Sequence, residues 1–152
     1  VCGQNVKVNK TYDIEDNSFA LLRYRNGTIA SLNISYTVPD SFPYGRALYV
    51  SFRGTRGVVS WAPAYEGQKD ILNICSDDPA FAGSPRRNQE FELQPAQGYS
   101  GFMGLEYVRA FVRAIRTNGE PPITGRDGVE ALRVVEAVYK SANEKRWVEI
   151  KR

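Results

Sequence analysis

The sequence contains no histidine, only two cysteines and no long apolar run. Without histidine, the chain cannot assemble Ser/His or Cys/His nucleophilic machinery, and it lacks the commonest general base and zinc ligand. Cys2 and Cys75 lack CxxC spacing, which favours reduced structural thiols in a cytoplasmic protein and leaves a disulfide between them as the alternative. No apolar stretch approaches the ~18 residues of a membrane span, so we expect no membrane partner.

The charge and composition are those of an ordinary globular domain. The 20 basic and 17 acidic residues give a net charge of +3 and are interspersed, so they give no indication of a nucleic-acid partner. The chain is 42% apolar and 24% charged. Its 152 residues suit one domain that buries roughly 70% of its unfolded surface.

The first two thirds of the chain are predicted to form β-structure. After a strand-like start, residues 18–25 are rich in strand formers and end at Asn26-Gly27, the preferred two-residue hairpin turn. Residues 28–37 then alternate, so one side becomes a core face and the other carries mostly small polar side chains. The core face consists of Ala30, Leu32, Ile34 and Tyr36. Further strands are predicted over residues 46–53, 58–61, 71–75, 90–93 and 147–150.

The last third switches to the helical period. Residues 105–117 form an amphipathic helix, which Asn118-Gly119 and the following prolines end. Thr124 and Asp127 form a capping box, so a second helix begins near Gly125. A run of strands followed by helices indicates an α+β fold. We expect an open, mainly antiparallel β-sheet with helices packed on one face.

Two patterns imitate ligand sites. Residues 98–104 have the spacing G-x-x-G-x-x-G, but they lack both the dinucleotide fingerprint and a preceding βα unit, which predicts a loop. Asp70, Asp77 and Asp78, with Glu66 nearby, match no calcium loop, so solvated carboxylates are favoured over a metal site. We therefore assign neither a phosphate cradle nor a metal.

Two surfaces have a functional and a structural interpretation. Arg109, Arg113 and Arg116 form a stripe that is favoured to be solvated; a phosphate, an acidic partner or a missing domain are the alternatives. The polar side of residues 28–37 could face water or pair with a copy of itself, so a homo-oligomer is a natural consequence of an open sheet.

Aromatic residues cluster around the break at residues 39–45. A tyrosine in a binding site offers an apolar face to a sugar ring and a hydroxyl for hydrogen bonding. Tyr36 and Tyr49 are interpreted as strand aromatics, whereas for Tyr44 the strand and ligand interpretations are equally weighted.

The segment of residues 111–150 carries a family resemblance. Residues 111–132 read FVRAIRTNGEPPITGRDGVEAL, and residues 146–150, after the second helix, read RWVEI. This segment resembles the C-terminal segment of the glucose–fructose oxidoreductase / inositol dehydrogenase / MocA family. Asp16 with the ALLRY motif that starts at Ala20, and the turn from Gly54 to Gly57, look like the family's hairpins. The resemblance implies a single substrate and oligomerisation domain over residues 1–152, dihydrodipicolinate-reductase-like in fold, without the N-terminal Rossmann domain.

The resemblance also implies a function. The parent enzyme would transfer a hydride between NAD or NADP and a sugar, cyclitol or related polyol. The family's Glu-Lys-Pro motif and its catalytic histidine are absent here. No catalytic, cofactor-binding or metal residue is therefore assigned, and the isolated chain is expected to be inactive. Tyr44 matches the family's pocket tyrosine, and Arg46, where the family often has other residues, is the second substrate-binding candidate.

Two other functions stay open at this point. The chain could be a stand-alone α+β binding module that kept the sheet and lost the chemistry. A nucleic-acid binder that uses the arginine stripe would bind DNA or RNA with a steep salt dependence, which the mild net charge does not favour.

Overall fold

A computed structural model describes residues 1–11, 13–39, 41, 48–62, 69–92, 94, 96–98 and 101–151. In chain order, the elements are β1 (Cys2–Val6), β2 (Asn17–Arg23), β3 (Ile29–Ser35), β4 (Val50–Gly54), β5 (Gly57–Ala62), β6 (Lys69–Ser76), a 3-10 turn (Pro79–Phe81), β7 (Arg86–Glu92), α1 (Gly101–Thr117) and α2 (Gly125–Glu144). All strand pairs are antiparallel, in the orders β1-β2-β3 and β4-β5-β6-β7. The predicted α+β class is confirmed, with two sheets among the described residues.

The chain divides into two compact units. The first unit combines Val1–Pro43 with Ile123–Arg152, and so holds β1–β3 and α2. The second unit is Tyr44–Pro122 and holds β4–β7 and α1. The first unit therefore combines the N-terminal and C-terminal segments of the chain.

The core of the first unit lies between α2 and its sheet. Ala20 and Leu22 of β2 are buried together with Val138 of α2. Gly3 of β1 lies so close to α2 that a β-carbon there would be 2.7 Å from Cγ1 of Val138. A glycine is required here because of this close approach and not because of a turn.

Ser141 joins three segments of the first unit. It is only 1% exposed, and its hydroxyl accepts the Gly3 N–H at 3.0 Å and donates to the Arg146 carbonyl at 2.6 Å. The amino group of Val1 donates to the Val148 carbonyl at 2.7 Å, and the Val148 N–H donates to the Val1 carbonyl at 2.8 Å. In place of the predicted strand over residues 147–150, Val148 exchanges two hydrogen bonds with Val1, the residue before β1.

The predicted core face of residues 28–37 is only partly covered. Ala30 packs against the core, whereas Leu32 and Ile34 are exposed and Tyr36 is 83% exposed. The helix α2 makes its extended contact with β1, two strands away from β3. The alternation correctly groups these residues on one face, but that face extends beyond the helix that covers it.

The ends of both helices follow the predicted capping chemistry. Asn118 has a φ of 51°, and the N–H of Gly119 donates to the Ala114 carbonyl at 2.9 Å, so α1 ends in a Schellman motif. Thr124 and Asp127 form the predicted reciprocal capping box at the start of α2. Among the residues that the structure describes, no helix is long and apolar enough to cross a membrane.

The predicted two-residue turn at Asn26-Gly27 is wrong in length. The N–H of Gly27 donates to the Tyr24 carbonyl at 3.0 Å, and the Tyr24 N–H donates to the Thr28 carbonyl at 2.9 Å. Only Gly27 has a positive φ, of 87°. The loop therefore has three residues, a type I turn followed by a left-handed glycine that forms a bulge.

Asp16 holds the loop between β1 and β2. Its carboxylate accepts the N–H groups of Val8 at 2.9 Å and Asn9 at 2.6 Å, and the side-chain amide of Asn17 at 2.8 Å. The residue is 7% exposed. The backbone hydrogen bonds from Val8 and Asn9 hold the pKa of the Asp16 carboxyl below its usual 3.8, since they favour the ionised form.

This arrangement predicts acid-sensitive stability. Because the folded-state pKa of Asp16 is depressed, its contribution is fully present above the unfolded pKa near 3.8 and is lost as the pH falls through the folded value. Asp16→Asn should lower the free energy of unfolding at neutral pH and weaken its dependence on acid pH. Urea unfolding across this range measures both, with Asp13→Asn as the control because Asp13 is fully exposed.

Candidate functional site

The two predicted substrate-binding residues, Tyr44 and Arg46, lie outside the described residues, as do Phe42 and Glu66. Their assignments stay predictions. Tyr49, on the described side of the same break, is 66% exposed immediately before β4. The geometry of the candidate site is therefore built from the sheet that follows.

A row of small polar side chains crosses the β4–β7 sheet in register. Ser51 is paired with Ser60, Ser60 with Asn73, and Asn73 with Asn88. Directly paired residues in antiparallel strands project from the same face, so these four side chains form one line, which we call the polar row. Hydroxyls and amides both donate and accept hydrogen bonds. The polar row can therefore bind hydrogen-bond donors as well as acceptors of a ligand or partner.

Tyr49 lies at one end of the polar row, since it precedes Ser51 by two residues in an extended segment. The nearby hydroxyls of Ser51 and Ser60 lower the pKa of the Tyr49 phenol, and Arg53 adds a smaller effect in the same direction. The exposed phenol is open to a ligand hydroxyl, and the buried Oγ of Ser51 makes no hydrogen bond among the described residues. The sequence interprets Tyr49 as a strand aromatic, and in the structure it directly precedes β4.

The loop carboxylates have structural partners. Asp78 caps the 3-10 turn by accepting the Ala80 N–H at 3.0 Å, and it pairs with Arg56 at 3.2 Å. Asp70 is buried in β6. Across the part of the chain that the structure describes, no three potential metal ligands come together.

The arginine stripe lies beside exposed apolar side chains on α1. Arg109 pairs with Glu106 at 2.6 Å. Arg113 and Arg116, with Arg109, border a shallow groove whose apolar part is formed by Val108 and Val112. All three arginines are exposed, so the stripe is solvated as predicted, and it borders an apolar groove.

The sheet face of the first unit that points away from α2 is partly apolar. Phe19 and Leu21 project from β2 and are half-exposed, with Val6 on one side and Ile29 on the other. The small polar side chains predicted for this face, Ser31 among them, flank the apolar centre. Such a face suits association better than hydration alone.

Comparison with known proteins identifies the domain. The model of an oxidoreductase family, C-terminal alpha/beta domain (Gfo/Idh/MocA), matches residues 1–150. D-apiose dehydrogenase of Paraburkholderia graminis is 27% identical over 145 residues, which are 95% of this chain and 37% of that protein.

Solved structures share the fold at lower identity. An oxidoreductase from Agrobacterium radiobacter, in complex with NAD+, L-tartaric acid and magnesium, is 21% identical with a TM-score of 0.76 over 98% of this chain and 42% of its own. The WlbA dehydrogenase from Bordetella pertussis, in complex with NADH and UDP-GlcNAcA, is 20% identical with a TM-score of 0.61 over 95% and 38%. The chain thus spans about two fifths of the length of these relatives. With its family model matched from residue 1 to residue 150, the chain belongs to the Gfo/Idh/MocA oxidoreductase family as its C-terminal α/β domain.

Proposed function

We propose that this chain is the substrate-side and oligomerisation domain of an NAD- or NADP-dependent oxidoreductase that acts on a sugar, cyclitol or related polyol. A Rossmann domain preceding it in the parent protein would bind the cofactor and supply the catalytic residues. The observation that carries this proposal is the family match over residues 1–150, because it assigns the whole chain to the second half of such enzymes.

The relatives support the cofactor and substrate classes. One relative is a dehydrogenase of the sugar D-apiose, and two structural neighbours hold NAD+ or NADH. Their companion ligands, L-tartaric acid and UDP-GlcNAcA, are rich in oxygen. A hydroxyl-rich substrate fits side chains that both donate and accept hydrogen bonds, such as Tyr44 and Tyr49.

Turnover by the parent protein tests the proposed function. The parent protein should reduce NAD or NADP with at least one member of a panel of sugars, cyclitols and linear polyols. The purified 152-residue chain should give no rate with any of them, because the site for the hydride acceptor would lie elsewhere. A parent protein that is inactive on the whole panel, or an active isolated chain, would contradict the proposal.

The role of Tyr44 gives a sharper prediction. Tyr44→Phe in the parent enzyme removes one hydroxyl and should lower kcat/KM for the polyol about 2- to 10-fold, as expected for a lost neutral hydrogen bond of roughly 0.5–1.5 kcal/mol. Binding of the cofactor should be unchanged. Tyr36→Phe is the matched control, since Tyr36 is an exposed tyrosine that follows β3 on the other side of the break. Equal kcat/KM values for Tyr44→Phe and the unmodified enzyme would remove Tyr44 from the site.

The oligomerisation part is tested on the uncovered sheet face. Leu21→Asp puts a charge at the half-exposed centre of that face, so a dimer or tetramer formed through it should dissociate to monomers. Light scattering across a dilution series measures the mass. Leu132→Asp, at an exposed position on α2, should leave the mass unchanged. A monomeric unmodified chain would refute association through this face.

The alternative is a stand-alone binding module that lost its chemistry. The apolar and polar sheet faces would serve such a module equally well. The parent gene separates the two possibilities: an upstream half with a G-x-G-x-x-G fingerprint supports the oxidoreductase, and a complete reading frame beginning near Val1 supports the module.

A further inference from the structure

Val1 is tied to the segment that follows α2. The Val1 nitrogen donates to the Val148 carbonyl at 2.7 Å, and the Val148 N–H donates to the Val1 carbonyl at 2.8 Å. Two residues that exchange both bonds form a hydrogen-bonded antiparallel pair. Val148 is 8% exposed, and Val1 packs against the core between α2 and its sheet. The pair is therefore held by burial as well as by hydrogen bonds.

The segment after α2 is held at a sharp reversal of the chain. Lys145, which ends the helix, has a left-handed backbone with φ 52° and ψ 39°. This conformation is unfavourable for a residue with a β-carbon and persists where surrounding contacts hold it. Directly after the reversal, the Ser141 hydroxyl donates to the Arg146 carbonyl, and the pair with Val1 follows two residues later. We call residues 145–148 the C-terminal clamp.

Ser141 connects the C-terminal clamp to β1. Its hydroxyl also accepts the Gly3 N–H at 3.0 Å, and at 1% exposure no water can replace either of its bonds. The chain is thus fixed at two points as it enters β1, at Val1 by the clamp and at Gly3 by Ser141. All of these contacts lie within the first unit.

We propose that the C-terminal clamp fixes the junction between this domain and the upstream half of the parent protein, with Ser141 as its positioning residue. This rests on the proposed function, in which the chain reaches Val1 from the nucleotide-binding half. The Val1 nitrogen is then a backbone amide, which keeps the hydrogen that it donates to Val148. Hydride transfer needs the cofactor of one half aligned with the substrate of the other, and a misplacement of about 1 Å can cost about 100-fold in rate.

Opening the clamp in the parent enzyme tests its role. A stop codon after Lys145 leaves α2 complete and removes Val148 and the Arg146 carbonyl. We expect kcat to fall about 10- to 100-fold because the alignment is lost. The Kd for NAD or NADP should change less than about 2-fold, because the upstream half would bind the nucleotide. A stop codon after Ile150 is the matched control and should leave both values unchanged. An unchanged kcat in the shorter chain, or an equal loss of nucleotide affinity, would overturn the proposal.

A disulfide in place of the pair gives a test that does not require a truncated chain to fold. The α-carbons of such a pair lie about 5.5 Å apart, within the range of about 4.4–6.8 Å that disulfides span. The free thiols Cys2 and Cys75 are first replaced by alanine. In this background, oxidised Val1→Cys, Val148→Cys should keep at least about half of kcat, since the clamp stays closed during turnover. Oxidation should also restore most of the kcat that Ser141→Ala loses.

The background without the two new cysteines, oxidised in the same way, is the control for the disulfide. An oxidised enzyme that regains its activity only on reduction would show that the pair opens during turnover. A Ser141→Ala enzyme that the disulfide does not restore would show that Ser141 does not act through the clamp. Either result overturns the inference.

Hydrogen exchange separates failure of the clamp from failure of the proposed function, because it needs no turnover. In the parent protein, the stop codon after Lys145 should accelerate exchange of the Val1 amide at least about 10-fold and leave the Leu22 amide of β2 nearly unchanged. A Val1 amide that exchanges equally fast in both chains would overturn the clamp alone. A parent that has the nucleotide-binding half, shows this acceleration and turns over no polyol would overturn only the proposed function.

Discussion

Gly3→Val is expected to destabilise the first unit by about 3 kcal/mol, the upper part of the usual range for overpacking. Even a single β-carbon at position 3 would lie 2.7 Å from Cγ1 of Val138 and 3.1 Å from its backbone. Valine has few accessible χ1 rotamers, so its methyl groups could not rotate away from the contact. The backbone of α2 could move away only by separating from β1. The helix would be forced away from the strand, and the hydrogen bond from Gly3 to Ser141 would lengthen.

Chemical denaturation measures this effect, with Gly54→Val as the matched control. Gly54 is also a strand glycine, and its nearest neighbour to an added β-carbon, the Gly57 carbonyl oxygen, is 3.8 Å away. Because β-branched residues suit strands, the control should be neutral or slightly stabilising. Equal losses of stability in the two variants would mean that the close approach of β1 and α2 is not a feature of the folded chain.

Ser141→Ala is expected to give the second large loss of stability, because it removes a buried hydroxyl that makes two hydrogen bonds. The substitution removes the acceptor of the Gly3 N–H and the donor to the Arg146 carbonyl in one step. A buried polar group left unpaired costs about 1–3 kcal/mol, so we expect a total of about 3 kcal/mol. Alanine also has the higher helix propensity, which would give the opposite sign if the hydroxyl did nothing.

Two measurements distinguish these causes. The free energy of unfolding gives the size of the loss, and amide exchange of Gly3 should accelerate selectively as its N–H loses its acceptor. Ser31→Ala is the control, since Ser31 is exposed on β3 and should change the stability by no more than about 0.5 kcal/mol. A stability gain in Ser141→Ala would show that the hydroxyl does not hold β1 to the end of α2.

The features predicted most accurately from the sequence are those that depend on residues close together in the chain. The capping box of Thr124 and Asp127 and the left-handed Asn118 at the end of α1 involve residues within five positions of each other, and both are present. Alternation also locates the strands predicted over residues 58–61 and 71–75, whereas the strand predicted over residues 147–150 is reduced to one bonded pair. The loop at Gly27 is one residue longer than predicted, because a type I turn followed by a bulge can join the same two hydrogen-bonded strands as a two-residue turn.

The sequence predicted least well what covers each face. Alternation placed Leu32 and Ile34 on the core side, but it could not say that α2 contacts β1 and leaves them exposed. The polar residue Ser141 lies at the centre of the buried side of α2, where periodicity favours an apolar side chain. Such positions depend on contacts between segments more than a hundred residues apart, which local patterns do not encode.

The candidate site shows the same division. The break at residues 39–45 draws attention to Tyr44, which lies outside the described residues and stays a proposal. The environment of Tyr49 depends on Ser60, which only the β4–β5 register brings beside Ser51. A pairing register is set by the whole sheet, so this cluster could not be assembled from the sequence pattern alone.

Cofactor binding by the 152-residue chain, measured side by side with the parent protein by calorimetry, tests the division of labour most directly. We expect the parent protein to bind NAD or NADP and the 152-residue chain to bind neither, because this domain belongs to the second half of the family's enzymes. Saturable binding of either nucleotide to the 152-residue chain would contradict the assignment of this domain to the substrate side.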